Sequence, residues 1–103
     1  FEGSFEAGTP FILVDDLATD GVSEAIYEAA LYRAQAAVVN TFVLIDYAIF
    51  PSDRSLLSLA TLTDVIAAAK TTNYLSDRDL TEIQSFTANA AQWSKMHGGI
   101  GKL

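Results

Sequence analysis

Four carboxylates crowd the run DDLATDGVSE: Asp15, Asp16, Asp20 and Glu24. Oxygen ligands at that density can hold calcium, but their spacing is not that of the EF-hand loop. Helix capping within a solvated acidic patch is the simpler account. Asp20 or Ser23 can accept hydrogen bonds from free backbone amides at a helix start, where Asp20, Glu24 and Glu28 also meet the positive end of the helix dipole. The adjacent glycines Gly98 and Gly99 follow a helical pattern rather than precede one, so they do not form a phosphate-cradling loop.

The single histidine, His97, stands beside those glycines. At a helix C-terminus its positive form meets the negative end of the dipole. With no cysteine and no second histidine, a zinc site has too few ligands. A serine-hydrolase arrangement would need a G-x-S-x-G turn, which the sequence lacks. These absences predict a protein that is not an enzyme, with no cofactor and no metal centre. Asp46 is the remaining ionisable group whose surroundings call for an explanation. Inside an apolar helix it must reach solvent along a narrow wet strip, pair with Arg54, Arg78 or Lys95, or take up a proton. Tyr27, Tyr32, Tyr47, Tyr74 and Trp93 suit core and interface positions, their polar ends at the water boundary.

The elements that would position these groups read as helical. Gly3, Gly8 and Pro10 discourage helix in residues 1–20, which look like an extended N-terminal arm. PFILVD within it has the composition of a short strand without an evident partner. A first helix is expected from Asp20 or Ser23 to Phe50, stopped by Pro51, with its second half from Ala34 apolar on every face. Ser52 then caps a second helix through Lys70, striped by Leu56, Leu59, Leu62, Ile66 and Ala69. Thr71, Thr72 and Asn73 break it. Ser76 with Asp79 makes a capping box for a third helix from Asp77 to about His97, ended by Gly98 and Gly99. The expected fold is all-α: a three-helix antiparallel bundle over residues 21–103, led by the arm of residues 1–20.

Half of the 103 residues are hydrophobic, 18 % are charged, and the net charge is −7. Residues 1–46 carry eight of the carboxylates and one base, Arg33, so the imbalance lies in the front half. The basic residues form no cluster, which argues against nucleic-acid binding through a basic patch. The apolar excess needs cover from outside so small a chain. The order of an apolar helix, a proline break, a Leu-striped helix and the cap LSDRD resembles fungal hydrophobic-surface-binding proteins over about residues 36–86, without a diagnostic motif. That resemblance implies a helical protein that binds apolar molecules.

From the residues themselves, the expected function is a non-enzymatic structural subunit that assembles with copies of itself into a filament, coat or obligate oligomer. Phe11 and Ile12 of the arm would anchor in a groove on another copy, lined by Phe42, Ile45, Tyr47, Ile49 and Phe50. Burying each large side chain is worth about 1.5–3 kcal/mol. The alternative is a soluble helical carrier of a fatty acid or other apolar ligand, with Tyr47 or Asp46 as polar anchor. A membrane segment over Ala34–Pro51 is a third reading, at the short edge of what spans a bilayer. The start at Phe1 reads as processing, which favours an extracellular or assembled-particle location.

Overall fold

A computed structural model describes residues 2–50 and 56–99. Its element order is β1 (Pro10–Ala18), α1 (Val22–Arg33), β2 (Ala37–Asp46), β3 (Leu57–Thr61), α2 (Leu62–Thr71), α3 (Asp77–Ala88) and α4 (Ala90–Met96). The three strands form one parallel sheet in the order β1-β2-β3. The fold is therefore α/β, and the all-α three-helix bundle is corrected, together with the helical architecture implied by the fungal resemblance.

The correction turns on the apolar run after Ala34. A segment without a polar face is buried all round, and a strand of a parallel sheet meets that condition as well as a core helix does. Val38, Val39, Thr41, Phe42, Val43 and Ile45 are β-branched or aromatic, and they pack better on a pleated surface than around a helix. What separates α1 from β2 is a C-terminal cap built without glycine. Gln35 adopts φ 64°, its N–H donates to the Tyr32 carbonyl at 3.0 Å, and Ala36 N–H donates to the Leu31 carbonyl at 3.0 Å. This is the Schellman pattern, with Leu31 and Ala36 both buried beneath it.

Residues 10–18 of the expected arm are thus β1, paired with β2 of the same chain from Pro10↔Ala37 to Ala18↔Asp46, with one register shift between Phe11 and Ile12. The expected second helix divides into β3 and α2. Thr61 starts α2 through a capping box with Asp64: Asp64 N–H donates to Thr61 Oγ1 at 3.3 Å and Thr61 N–H to Asp64 Oδ2 at 2.8 Å. The stop at Pro51 and the cap at Ser52 lie outside the described residues. Ser76 and Asp79 do form a capping box on α3. The third helix breaks at Asn89, whose Oδ1 accepts from Gln92 N–H to start α4.

The sheet has two unlike faces. On one, α1 packs over Leu13, Thr41 and Val43, and Thr41 Oγ1 donates to Glu28 Oε1 at 2.5 Å. On the other, Ile12, Val14, Leu44, Leu57 and Leu59 are exposed. The buried core is small: Ala18, Leu31, Ala36 and Val43 around the sheet, with Leu80 and Ala90 between the last helices. No helix among the described residues is long and apolar enough to cross a membrane.

Candidate functional site

Parallel strands all end on the same side, and α/β folds place their ligands in the crevice outside those carboxyl ends. Here that crevice is a cleft of about 190 Å³ lined by Ala18, Thr19, Asp20 and Gly21 after β1, by Asp46, Ala48 and Phe50 after β2, and by Leu56 before β3. Tyr47 N–H donates to the Ala18 carbonyl at 2.9 Å, which continues the β1–β2 ladder to its last residue and holds both strand ends level.

The turn from β1 into α1 is built by short polar residues. Gly21 is the N-cap, buried and at φ 79°, a left-handed conformation that costs glycine little. Asp20 Oδ1 accepts from Val22 N–H at 3.0 Å, closing a turn around Gly21. Having no side chain, the N-cap gives no side-chain hydrogen bond to the first helical turn, and only its carbonyl takes part, accepting from Ala25 N–H at 3.0 Å. The amides of Ser23 and Glu24 are left pointing out of the helix start, with the positive end of the dipole behind them. Such a helix end accepts an anion, and phosphate above all.

The carboxylates surround that turn. Asp15 and Asp16 are neighbours near the end of β1, so their side chains fall on opposite faces of the sheet. Asp15 Oδ1 accepts from Asp16 N–H at 2.9 Å. Asp46 Oδ1 accepts from Ala48 N–H at 2.9 Å, across a residue at φ 53°. Asp46 therefore caps a strand end beside the cleft instead of lying on a helix; among the described residues it forms no ion pair with Arg78 or Lys95, and Arg54 lies outside them. Glu24, 1 % exposed, is buried in the first turn of α1 and its Oε1 has no hydrogen-bond partner. Among the described residues, no group of three or more His, Cys, Asp or Glu side chains is placed to hold a metal ion.

The seven residues expected to make one apolar groove are spread over the fold. Phe11 and Ile12 begin β1, where Phe11 stacks edge-on against Phe5 at 4.7 Å. Phe42 and Ile45 lie in β2 on opposite faces. Tyr47 meets Phe86 edge-on at 6.5 Å, Ile49 is half-buried, and Phe50 alone of the set lines the cleft. His97 belongs to a separate cluster that ties α3 to α4. Its ring stacks on Trp93 at 3.9 Å, and its Nε2 lies 3.2 Å from Glu82 Oε1, which also accepts from Trp93 Nε1 at 2.8 Å.

The sequence expectations leave out Thr19 and Gly21, which line the cleft. The signal was present: an apolar run, Phe11–Val14, followed by two acids, a turn of small polar residues and a helix.

No family model matches the chain. It is 32 % identical over 102 residues to the orotate phosphoribosyltransferase of Roseobacter denitrificans, covering 91 % of this chain and 45 % of the relative. To the orotate phosphoribosyltransferase of Rhizobium johnstonii it is 30 % identical over 108 residues, covering 99 % of this chain and 47 % of the relative. The chain spans about half the length of the curated relatives it matches. Among solved structures, the UMP synthase of Leishmania donovani superposes with a TM-score of 0.77 at 18 % identity, over 84 % of this chain and 21 % of that one. This likeness gives the same α/β fold. The relatives are enzymes, and they overturn the expectation of a non-enzymatic, self-assembling structural subunit, along with the fatty-acid carrier offered as its alternative.

Proposed function

We propose that this chain carries the phosphoribosyl-binding part of a phosphoribosyltransferase, the activity for which its relatives are named. One observation carries the reading. The cleft at the strand ends joins a helix start without a side-chain cap to the carboxylates of Asp20 and Asp46, with Asp15 and Asp16 three and two residues back along β1, in a chain aligned over 99 % of its length with such an enzyme.

A phosphoribosyl group has two recognisable ends. Its phosphate suits the amides of Ser23 and Glu24, with the Thr19 and Ser23 hydroxyls as further donors. Its ribose hydroxyls are donors that suit ionised carboxylates, as acidic residues near the strand ends of dinucleotide-binding folds do. Asp15 and Asp16 fill that role. Transfer of the group forms a bond from a nitrogen of the acceptor base to the anomeric carbon as that carbon's bond to the donor's phosphate-type leaving group breaks. The electron pair departs with the oxyanion, and the carbon becomes electron-poor in the transition state of glycosyl chemistry. Carboxylates beside the sugar stabilise developing positive charge electrostatically. In the relatives the base named is orotate, and we assign this chain the same class of acceptor, a pyrimidine carboxylate.

Titration of isotope-labelled protein with ribose 5-phosphate tests the binding. The amides of Gly21 to Glu24 should shift together, and inorganic phosphate should bind more weakly than the sugar phosphate. Shifts confined to other parts of the chain, or none at millimolar ligand, would remove the reading.

A further inference from the structure

His97 brings two ring nitrogens to the end of α4, and both face acceptors. Nδ1 lies 2.7 Å from the Trp93 carbonyl oxygen, and Nε2 lies 3.2 Å from Glu82 Oε1. A neutral imidazole has one N–H and one lone pair, so it satisfies one of these contacts and sets a lone pair against the other. The imidazolium has two N–H groups and satisfies both. The seated cluster therefore holds one proton more than a neutral ring beside a carboxylate. Two further features favour the same charge. The ring lies flat on Trp93, with 3.9 Å between centroids and 17° between planes, and it stands at the C-terminus of α4.

Little else fastens α4. Its joint to α3 is the single residue Asn89, in extended backbone at φ −157° and ψ 82°. Among the described residues, α3 is the one element against which α4 packs to any extent. The apolar share of that contact is small: Leu80 and Ala90 are buried there, and Phe86 meets Trp93 edge-on at 5.4 Å. With so little apolar area removed from water, the polar contacts decide whether α4 stays seated. The His97–Glu82 pair is weak by itself, since its side chains are 46 % and 56 % exposed. Its leverage comes from acting together with the carbonyl bond, the ring stack and the 2.8 Å bond from Trp93 Nε1 to Glu82.

We propose that the second ring proton of His97 is a pH-sensitive latch that seats α4 on α3. Seating takes up that proton, so α4 is held at the acid end of the range in which imidazoles titrate and released as pH rises through it. Release swings α4 about Asn89 and uncovers Trp93 and the Phe86 ring beneath it. Glu82 is the charged side chain in contact with the His97 ring among the described residues. Arg78 and Asp79 precede it by one turn on α3, and Lys95 stands about 200° round α4 from His97. Tyr47, from the end of β2, faces Phe86. The latch does not depend on which ligand the cleft takes.

Trp93 and His97 are the single tryptophan and the single histidine of the chain, so each reports without background. Acrylamide quenching of Trp93 fluorescence reads its accessibility, and amide spectra of the whole chain show which elements move. From about pH 5 to about pH 8 the quenching constant should rise about twofold or more, with amide shifts confined to α4 and the part of α3 beneath it. His97→Gln carries no charge and should leave Trp93 at the exposed level at both pH values. His97→Arg keeps a permanent planar cation that can stack on Trp93 and bond Glu82, and should hold the protected level at both. Unmoved sheet amides are the check that each variant is folded. A flat response in the unaltered chain overturns the proposal, as does a step that survives in either variant. Amide shifts spread through the sheet as pH rises, or an arginine variant as exposed as the glutamine one, overturn it equally.

Discussion

The Ala18 carbonyl accepts the Tyr47 amide at 2.9 Å, and this bond aligns the last residues of β1 and β2 so that Asp20 and Asp46 line one cleft. A one-residue slip between the strands would turn every side chain of β1 to the other face. The position of the β1–α1 turn is thus fixed by sheet register, and the predictions for the proposed site follow from it.

Asp15→Asn and Asp16→Asn should each weaken ribose 5-phosphate binding by about tenfold or more, since a hydrogen bond to a charged group contributes about 1.5–3 kcal/mol. Inorganic phosphate should bind as well as before, or slightly better with one less repelling charge. Calorimetric titration of both ligands separates the two. Equal losses for both would place the carboxylates at the phosphate rather than the sugar.

Gly21→Val forces a β-branched residue to φ 79°, at a cost of about 1–2 kcal/mol for the left-handed backbone. The denaturation midpoint should fall, and the Ser23 and Glu24 amides should lose their response to ligand. An unchanged midpoint in urea would show that the turn relaxes without strain.

Val43 is fully buried between the sheet and α1, whereas Val39, in the same strand, is exposed. Val43→Ala should cost about 2 kcal/mol, from two lost methyl groups and the cavity they leave. Val39→Ala should stay within about 0.5 kcal/mol. Equal costs at both positions would contradict the difference in burial between the bulged start of the strand and its middle.

The Asp64 carboxyl is held below the usual carboxylate range by the hydrogen bond from the Thr61 backbone amide and then by that from the Thr61 hydroxyl. With its folded value depressed, the cap's contribution is complete above the unfolded carboxylate value. It is lost as pH falls through the folded one. Following the Asp64 carboxyl by NMR should give a midpoint below 3.8, moving upward in Thr61→Ala. A midpoint at the ordinary value would mean the capping box does not form in solution.

Much of the local punctuation was legible in the sequence. Ser76 with Asp79 acts through side-chain hydrogen bonds, and the Asn73 break and the Gly98 terminus through left-handed backbone that these residue types adopt readily. Asp20 likewise accepts a helix-start amide, as its type suggested. The strands were not legible together, because β2 lacks an alternating polar face. With Ala37–Asp46 read as helix, the strand-like run before Asp15 has no neighbour and reads as an arm. The site was lost by the same step. Four acids beside a helix start read as capping, and only a parallel sheet beneath them makes the same place a ligand crevice. Gln35 concealed the boundary, since left-handed helix caps are ordinarily signalled by glycine or asparagine.

The crossover architecture also governs how the chain reaches this shape. β1 cannot pair with β2 until the twelve residues of α1 have been spanned, so the ladder closes a long loop before any of its bonds are repaid. The helix, whose contacts are local, can form well before the strands zip. Until then the aliphatic edge of β1 is unpaired, which makes the unfolded chain more vulnerable to aggregation than the native one. Yield on refolding should therefore depend on how quickly the strands meet, and much less on how tightly they hold afterwards.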